Sequence, residues 1–304
     1  MTAYTQISAN RFKTWLIMLL FAFFITFVVY VFTNALGYRG PSAFGFSGVA
    51  LIIAGIMNFF SYYYSDRMIM VISSAKQIQK KDNPNLFRTV ENLCIASGLP
   101  MPKIYMIDDT APNAFATGRN PQHASIAFTT GILDKLSKLE LEGVAAHELS
   151  HVGNYDTRLM TIVSILVGSI ALLADWFIRI TWYGRAGRDN DDNRSNGIFM
   201  VIALILAILA PIIAVLIQLA ISRKRELLAD SSGSLLTRNP DGLADALIKI
   251  SKDREPLEVA NKATAHLYIV NPFKDRHKVV GMFANLFNTH PPIEERVKSL
   301  RAMQ

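Results

Sequence analysis

The chain has 304 residues, of which 51% are apolar, and it carries a formal net charge of +7 at pH 7. This apolar content is high for a soluble protein and indicates membrane segments. The single cysteine, Cys94, excludes an internal disulfide. The basic residues cluster beside apolar runs and form no nucleic-acid-binding motif, so nucleic acid is not an expected partner.

The N-terminal 65 residues predict a membrane hairpin. Residues 15–33 and 40–65 contain no charged side chain, and a membrane helix needs about 20 apolar residues. We therefore expect spans over about residues 15–33 and 44–63, with an interfacial aromatic belt from Tyr62 to Tyr64. A cleaved signal peptide is the alternative for the first run, but the run exceeds a typical signal core and further apolar runs follow it.

The segment after this hairpin is predicted to form helices and then a small sheet. The sequences SSAKQIQ and NLFRTVENLCIASG have helical spacing, with Gly98 as a stop. The sequences KIYMID and ASIAFTT are rich in β-forming residues and predict strands, separated by the predicted loop DTAPNAFATGRNPQH. A capping box from Ser137 to Glu140 then opens the next helix.

That helix carries the sequence AAHELSH, residues 145–151. His147 and His151 lie one turn apart on one helix face, about 6 Å from each other, so both imidazoles can bind one zinc ion. Glu148 follows the first histidine and is placed to take a proton from a water molecule that zinc activates. This is the chemistry behind the H-E-x-x-H pattern. The alternative is a pair of surface histidines on an ordinary helix.

A third zinc ligand is expected, since a catalytic zinc ion takes three protein ligands and keeps a fourth position open. Our candidate is Glu226 in the sequence SRKRELLAD. Asp230 lies four residues later on the same helix face and is placed to orient a ligand histidine through its free N–H. The alternatives are that Glu226 pairs with Arg223 and that Asp230 caps the helix locally.

Residues 159–222 predict a second membrane hairpin, with spans over about residues 159–178 and 198–221. Because the connecting loop is short, the alternative is a hairpin buried in the core or lying only part-way in the membrane. The excess of Lys and Arg beside the spans places the N-terminus and residues 66–158 and 223–304 in the cytoplasm. If the helices of His151 and Glu226 run straight into their spans, the zinc ion sits just above the membrane; a break at Gly153 or Asn154 would change this.

The order of several sequence segments resembles a known family. These segments are two early spans, NAFATG, HELSHVGNYD, two later spans, SRKRELLAD and THPPIEERV. In this order they resemble the bacterial HtpX membrane metalloproteases, a zinc-dependent family. The resemblance implies an integral membrane, mostly α-helical fold: four transmembrane helices plus a cytoplasmic zincin-like α+β catalytic domain with a small β-sheet.

The resemblance also implies roles for individual residues. It assigns one zinc ion per chain to His147, His151 and Glu226, with Glu148 as the general base. Asn113 falls in the substrate-binding segment, where an extended substrate is expected to add to the ASIAFTT strand through backbone hydrogen bonds. His290 is expected to donate to the developing oxyanion; its alternative role is a structural cap.

The implied function is a multi-pass zinc endopeptidase of the bacterial cytoplasmic (inner) membrane, with its active site on the cytoplasmic side. Its expected partners are the lipid bilayer and misfolded or damaged membrane proteins and other unfolded polypeptides, which it clears. Two alternatives stay open at this point. One is prenyl-protein processing, an activity of relatives with more spans, and the other is a zinc-binding adaptor without proteolytic activity. One cysteine makes a structural zinc site less favoured, since such sites are closed by four ligands and rich in Cys.

Overall fold

The computed structural model of the chain describes residues 3–35, 40–185, 223–260, 264, 267–270 and 291–303. These residues form a mostly helical structure with one small sheet. The helices are α1 (Ala3–Ala35), α2 (Pro41–Ile72), α3 (Pro84–Ser97), α4 (Thr130–Lys135), α5 (Lys138–Gly153), α6 (Asp156–Arg185), α7 (Arg223–Thr237), α8 (Pro240–Lys252) and α9 (Ile293–Arg301). The strands are β1 (Lys76–Gln77), β2 (Lys103–Ile107), β3 (Ala114–Gly118) and β4 (Ala124–Thr129), with a 3₁₀ turn at Pro121–His123.

Helices α1 and α2 pack against each other as a long apolar hairpin. Their segments Ile7–Tyr30 and Phe44–Ile72 are long and apolar enough to cross a membrane, as predicted for the first two apolar runs. Much of their apolar surface faces outward, which is expected where lipid and not protein is the neighbour. The outward-facing side chains include Trp15, Leu19, Phe23, Ile52, Phe59 and Phe60.

Aromatic pairs mark both ends of this hairpin. Trp15 stacks on Tyr62 with ring centroids 5.7 Å apart, and Tyr30 meets Phe44 at the other end, also at 5.7 Å. Fifteen helical residues separate Trp15 from Tyr30, which is a rise of about 22 Å. Aromatic residues at both ends of an apolar segment of this length are typical of the two membrane–water interfaces.

The sheet has the strand order β1–β2–β4–β3, with β2 and β4 parallel and the other two pairs antiparallel. Its first strand corrects our expectation for SSAKQIQ, because the helix α2 ends at Ile72 and the chain turns at Ser74 (φ 53°). Lys76 and Gln77 then pair with Met106 and Tyr105. Hydrogen bonding to β2 therefore overrides the helical spacing of this segment.

Strand β3 lies within the segment that we predicted to be a loop. All five of its residues are buried, so it lacks the alternation of apolar and polar residues that identifies a half-buried strand. Strand β4, the ASIAFTT segment, is paired on both sides, with Ile126 opposite Ile104 on β2 and Ala116 on β3. The expectation that a substrate adds to ASIAFTT is therefore wrong, because that strand has no free edge.

The helix stop predicted at Gly98 and the capping box predicted from Ser137 to Glu140 are confirmed. The Asn83 side chain accepts a hydrogen bond from the Leu86 N–H at the start of α3, and Gly98 ends that helix in the left-handed conformation. At the start of α5, Ser137 and Glu140 form the reciprocal capping box.

Helix α5 does not continue into α6. It ends at Gly153, and the N–H groups of Asn154 and Tyr155 bond back to Ser150 and Val152. Tyr155 adopts a φ of 60°, and α6 begins at Asp156. A left-handed residue after a helix end is a common stop, so of the two cases left open above, the break at Gly153 and Asn154 is the one found, and the straight helix into the third apolar run is not.

The third apolar run lies within α6. The side chains described there, up to residue 170, pack against α1 and α2 in one hydrophobic cluster. The cluster includes Leu159, Ile162, Val163, Leu166 and Ile170 of α6, with Ile17, Phe21 and Ala54 of the hairpin. The predicted fourth span, residues 198–221, lies outside the described residues.

Helix α5 forms the centre of the second hydrophobic cluster, between the sheet and helices α7 and α8. Two glycines allow this close packing. A Cβ atom on Gly143 would lie 2.6 Å from the Leu243 backbone nitrogen of α8, and one on Gly233 of α7 would lie 3.0 Å from the His147 nitrogen. The close approach of α7 brings Glu226 toward the histidines of α5.

Candidate metal centre

Three buried side chains from α5 and α7 meet at one point. The Nε2 atoms of His147 and His151 are 3.2 Å apart. The carboxylate oxygens of Glu226 lie 3.8 Å from His147 Nε2 and 3.4 Å from His151 Nε2. Ligand atoms of a tetrahedral zinc ion, each about 2.1 Å from the metal, lie about 3.4 Å from one another. The spacing of these nitrogen and oxygen atoms therefore fits a zinc ion.

The second nitrogen of each histidine contacts a carboxylate. His147 Nδ1 lies 2.9 Å from Asp230 Oδ1, and His151 Nδ1 lies 3.1 Å from Asp156 Oδ2. If each Nδ1–H donates to its carboxylate, each Nε2 atom presents a lone pair to the other and to Glu226. Such a set of acceptors without a donor requires a cation, which is the usual arrangement around a bound metal.

The charges around the two histidines differ. Burial lowers the pKa of His147 to about 4, and the positive charges of His151 and Arg296 act in the same direction against Asp230. Burial also disfavours protonation of His151, but hydrogen bonds to Asp156 and Glu226 prevail and raise its pKa to about 10. The surroundings therefore keep the His147 imidazole neutral and favour a positive charge at the His151 imidazole.

Glu148 lies beside this group, is 3% exposed and is not part of it. Burial raises its pKa to about 7, and the negative charge of Glu226 adds to this effect. The backbone N–H of Ala116, on strand β3, donates to the carboxylate and opposes the shift. The Glu148 carboxyl group thus lies next to the candidate metal ligands and at the outer edge of β3. In this position it can exchange protons with a polypeptide that lies along that edge.

Arg296 of α9 connects Asp230 to the site. Its guanidinium donates two hydrogen bonds to Asp230, at 2.8 and 2.6 Å, and lies 3.8 Å from a Glu226 oxygen. Burial opposes ionisation of Asp230, but the Arg296 charge prevails and lowers its pKa to about 2. Both groups are fully buried. Asp230 therefore stays ionised and holds His147, and it does not cap its own helix.

Asp156 contacts His151 and is itself hydrogen-bonded to a residue of α1. Its second carboxylate oxygen accepts a hydrogen bond of 2.7 Å from the side-chain amide of Asn10, on α1. The same amide donates to the Asn154 carbonyl at 3.1 Å. Arg225 lies 3.7 Å from Asp156 and is almost fully buried. The N-terminal helix therefore reaches the hydrogen-bonded network around His151.

The model of peptidase family M48 matches residues 80–304, which include this whole network apart from Asn10. The chain belongs to peptidase family M48. A protease HtpX homolog from Dictyoglomus thermophilum is 45% identical over 302 residues, 99% of this chain and 95% of that protein. One from Tropheryma whipplei is 43% identical over 305 residues, 99% of this chain and 98% of that protein.

Among solved structures, the crystal structure of S. mikatae Ste24p aligns with a TM-score of 0.46 and 18% identity. The alignment covers 95% of this chain, which spans 66% of that one. Membership of the M48 family confirms the predicted resemblance and makes the chain a metalloprotease. Together with the two long apolar helices, it makes the chain a membrane-associated one.

Two further residues of this M48 chain were predicted to belong to the site, His290 and Asn113. His290 lies outside the described residues. Asn113 is 1% exposed, and its side-chain amide donates to the Val270 carbonyl at 3.1 Å while its oxygen accepts from the Ala114 N–H. Its polar atoms therefore hold the chain's own backbone at the start of β3, so any effect on substrate acts through that strand.

Sequence reasoning missed Asp156, Arg296 and Asn10. Asp156 carried one usable signal, since it lies five residues after His151 in the segment HELSHVGNYD. Arg296 and Asn10 are 66 residues or more from their partners Asp230 and Asp156 along the chain. Their roles depend on how α9 and α1 pack against the rest of the chain. No local sequence pattern predicts that packing.

Proposed function

We propose that this metalloprotease is a zinc endopeptidase of the bacterial cytoplasmic membrane that cleaves misfolded or damaged membrane proteins and other unfolded polypeptides. The observation that carries the proposal is the meeting of His147, His151 and Glu226 at ligand spacing, with the Glu148 carboxyl group beside them. Their buried position, in contact with one strand edge, suits cleavage of a chain that enters in extended form.

Each residue of the site has a distinct role in this proposal. His147, His151 and Glu226 hold one zinc ion per chain, and zinc, when bound, supplies Lewis-acid chemistry at neutral pH. Glu148 takes a proton from the attacking water and passes it to the departing amine. His290 donates to the oxyanion that forms on the scissile carbonyl.

The carboxylates around the ligands fix their orientation. Asp230 accepts the Nδ1–H of His147, and Asp156 accepts that of His151, so that each ring presents Nε2 to the metal. Arg296 keeps Asp230 charged. Such partners of metal ligands commonly change metal affinity by about 10- to 100-fold when they are removed.

Strand β3 is proposed as the substrate-binding edge, in place of the ASIAFTT strand. Its backbone carbonyl at Ala114 accepts a hydrogen bond from the Ile269 N–H, and the Ala116 N–H reaches Glu148. An extended substrate on this edge would displace or continue these contacts of the chain itself, and such backbone pairing needs few specific side chains. Asn113 contributes by fixing the start of this strand.

The proposed topology has four membrane spans and a cytoplasmic active site. Residues 1–65 and 159–222 form the two membrane hairpins, and residues 66–158 and 223–304 form the peptidase domain. The long apolar helices α1 and α2 support the first hairpin. The excess of Lys and Arg in the polar segments supports the cytoplasmic location.

The test compares the wild type with Glu148→Gln, each purified in detergent with a chelator and then supplied with zinc. Both are expected to bind about one zinc ion, because Glu148 is not a ligand. Cleavage of unfolded casein should fall by at least about 100-fold in the variant, since general acid–base catalysis contributes roughly 100- to 10,000-fold. Bound zinc and cleavage are measured on the same samples.

Glu142→Gln is the matched control, because it removes a carboxylate from the same helix outside the ligand group. It should keep both zinc binding and cleavage. Equal cleavage by Glu148→Gln and the wild type would contradict the role of the base. Zinc binding without cleavage of any unfolded or membrane substrate by the wild type would favour an adaptor.

A further inference from the structure

Three arginines gather where the polar domain meets the apolar hairpin. We call Arg11 of α1, Arg119 at the end of β3 and Arg158 of α6 the arginine cluster. The guanidinium carbon atoms of Arg11 and Arg158 lie 4.7 and 5.3 Å from the centre of the same ring, Tyr155. The Arg158 Nε–H donates to the Arg119 backbone carbonyl at 2.7 Å. The cluster is therefore held together by contacts between three separate elements.

Aromatic rings support the cluster from the hairpin side. Arg158 lies 5.4 Å from the ring centre of Tyr62, and Arg119 lies 4.8 Å from that of Tyr63. Tyr62 also stacks on Trp15, which is 58% exposed on the outer surface of α1. These rings are the aromatic belt at the polar end of the hairpin, so the cluster lies at the depth of lipid headgroups.

The arginine cluster has no acidic partner among the described residues. No described carboxylate lies within 4 Å of any of its three guanidinium groups. The neighbouring Asp156 turns instead toward Asn10 and His151. Arg11 and Arg119 both act on Arg158 as like charges, and Arg158 is only 7% exposed. Buried positive charge without a counter-charge is costly and is normally compensated by an anion.

The guanidinium groups keep donors for such an anion. Arg158 donates from its Nε to the Arg119 carbonyl and from one terminal nitrogen to the Tyr62 hydroxyl. Arg119 uses one terminal nitrogen on the Tyr63 carbonyl. Arg11 is exposed and has only the Tyr155 ring as a partner in the part of the chain described. Planar guanidinium donors match phosphate oxygens in pairs.

We propose that the arginine cluster binds the phosphate group of an anionic phospholipid. The ligand's acyl chains would lie against the outward-facing apolar side chains of α1 and α2, which begin at the same level with Trp15 and Tyr63. A net negative headgroup is favoured over a zwitterionic one because the cluster holds three positive charges and no carboxylate. This inference rests on the membrane placement proposed above, but not on the zinc chemistry.

The test titrates phosphatidylglycerol or phosphatidylcholine into the full chain in dodecyl maltoside micelles and counts retained lipid by native mass spectrometry. Phosphatidylglycerol should bind at least about tenfold more tightly. Replacing Arg119 or Arg11 by Gln should weaken its binding about fivefold each, since one arginine near a membrane surface contributes about 1 kcal/mol. Both side chains reach the surface, so their loss leaves the fold intact, unlike that of buried Arg158.

Arg67→Gln is the matched control. It removes an exposed arginine from α2, one turn and a half beyond Tyr62 and outside the cluster. If it weakens phosphatidylglycerol binding as much as Arg119→Gln does, a general surface potential and not a site attracts the lipid. Equal binding of phosphatidylcholine would also overturn the proposal.

A competition with inorganic phosphate separates the two sources of the same chemical group. If phosphate displaces phosphatidylglycerol from the wild type at comparable concentrations, the cluster is a site for free phosphate and the lipid assignment is wrong. Retention of the lipid supports it. Lipid binding is measured without substrate, so its failure leaves the peptidase test unaffected, and loss of peptidase activity leaves the lipid result standing.

Discussion

Asn10 is more than 140 residues from His151 in sequence, yet one carboxylate, Asp156, joins them. Replacing Asn10 by Ala removes hydrogen bonds to Asp156 and to the Asn154 carbonyl. Asp156 then holds His151 less firmly, and we expect zinc affinity to fall about tenfold, at the low end for outer partners of metal ligands. Competition with a zinc-binding dye measures this affinity.

Asn58→Ala is the control for the Asn10 variant. Asn58 is also a buried asparagine of the hairpin, and its amide donates to the Met18 carbonyl at 2.9 Å, away from the metal ligands. It should lower hairpin stability and keep zinc affinity. If both variants lose zinc affinity equally, hairpin packing in general, and not the Asn10 hydrogen bonds, supports the metal centre.

At the scale of elements, the crossing of α5 and α7 determines whether three ligands meet. Gly233→Ala would place a Cβ atom 3.0 Å from the His147 nitrogen and 3.2 Å from the Ala146 carbonyl carbon. The helices must then separate by some tenths of an ångström, whereas metal–ligand distances tolerate about 0.2 Å. We expect at least a tenfold loss of zinc affinity in the same dye competition. Gly153→Ala, with only ordinary contacts to the Leu99 side chain, should keep it.

The elements that sequence could predict are those with local signals. The capping box at Ser137 and the left-handed Gly98 each satisfy backbone groups within one turn, so their patterns predict helix ends correctly. Strand β3 could not be predicted, because it is buried on both faces and shows no alternation. The break before α6 could be predicted only as a possibility, at Gly153 or Asn154, because the residue that adopts the left-handed conformation, Tyr155, is neither Gly nor Asn.

The same distinction applies to the site. His147, Glu148 and His151 form a pattern within one helix turn, and Glu226 with Asp230 repeats that spacing on α7. Arg296, which keeps Asp230 ionised, belongs to a helix whose position is set by tertiary packing. Sequence therefore predicted the residues that meet at the candidate metal centre better than the residues that orient them.

Across the whole molecule, the candidate metal centre lies close to the place where two hydrophobic clusters meet. One cluster surrounds α5, and another lies between α1, α2 and the first part of α6. The two meet at the junction of α5 and α6, where Asn10 contacts Asn154 and Asp156. If α5 and α7 bind a zinc ion as proposed, the ion links these two helices next to the point where the hairpin is attached.

Removal of zinc should accordingly lower thermal stability. A ligand present at about 1,000 times its dissociation constant stabilises the folded state by about 4 kcal/mol, which corresponds to roughly 10 °C for a domain of this size. Unfolding of the detergent-solubilised chain is followed by circular dichroism with zinc and with a chelator. Glu148→Gln should keep the full shift because every ligand remains, whereas Glu226→Gln should lose most of it. An identical melting temperature with and without zinc in the wild type, or a full shift in Glu226→Gln, would show that zinc does not link α5 to α7.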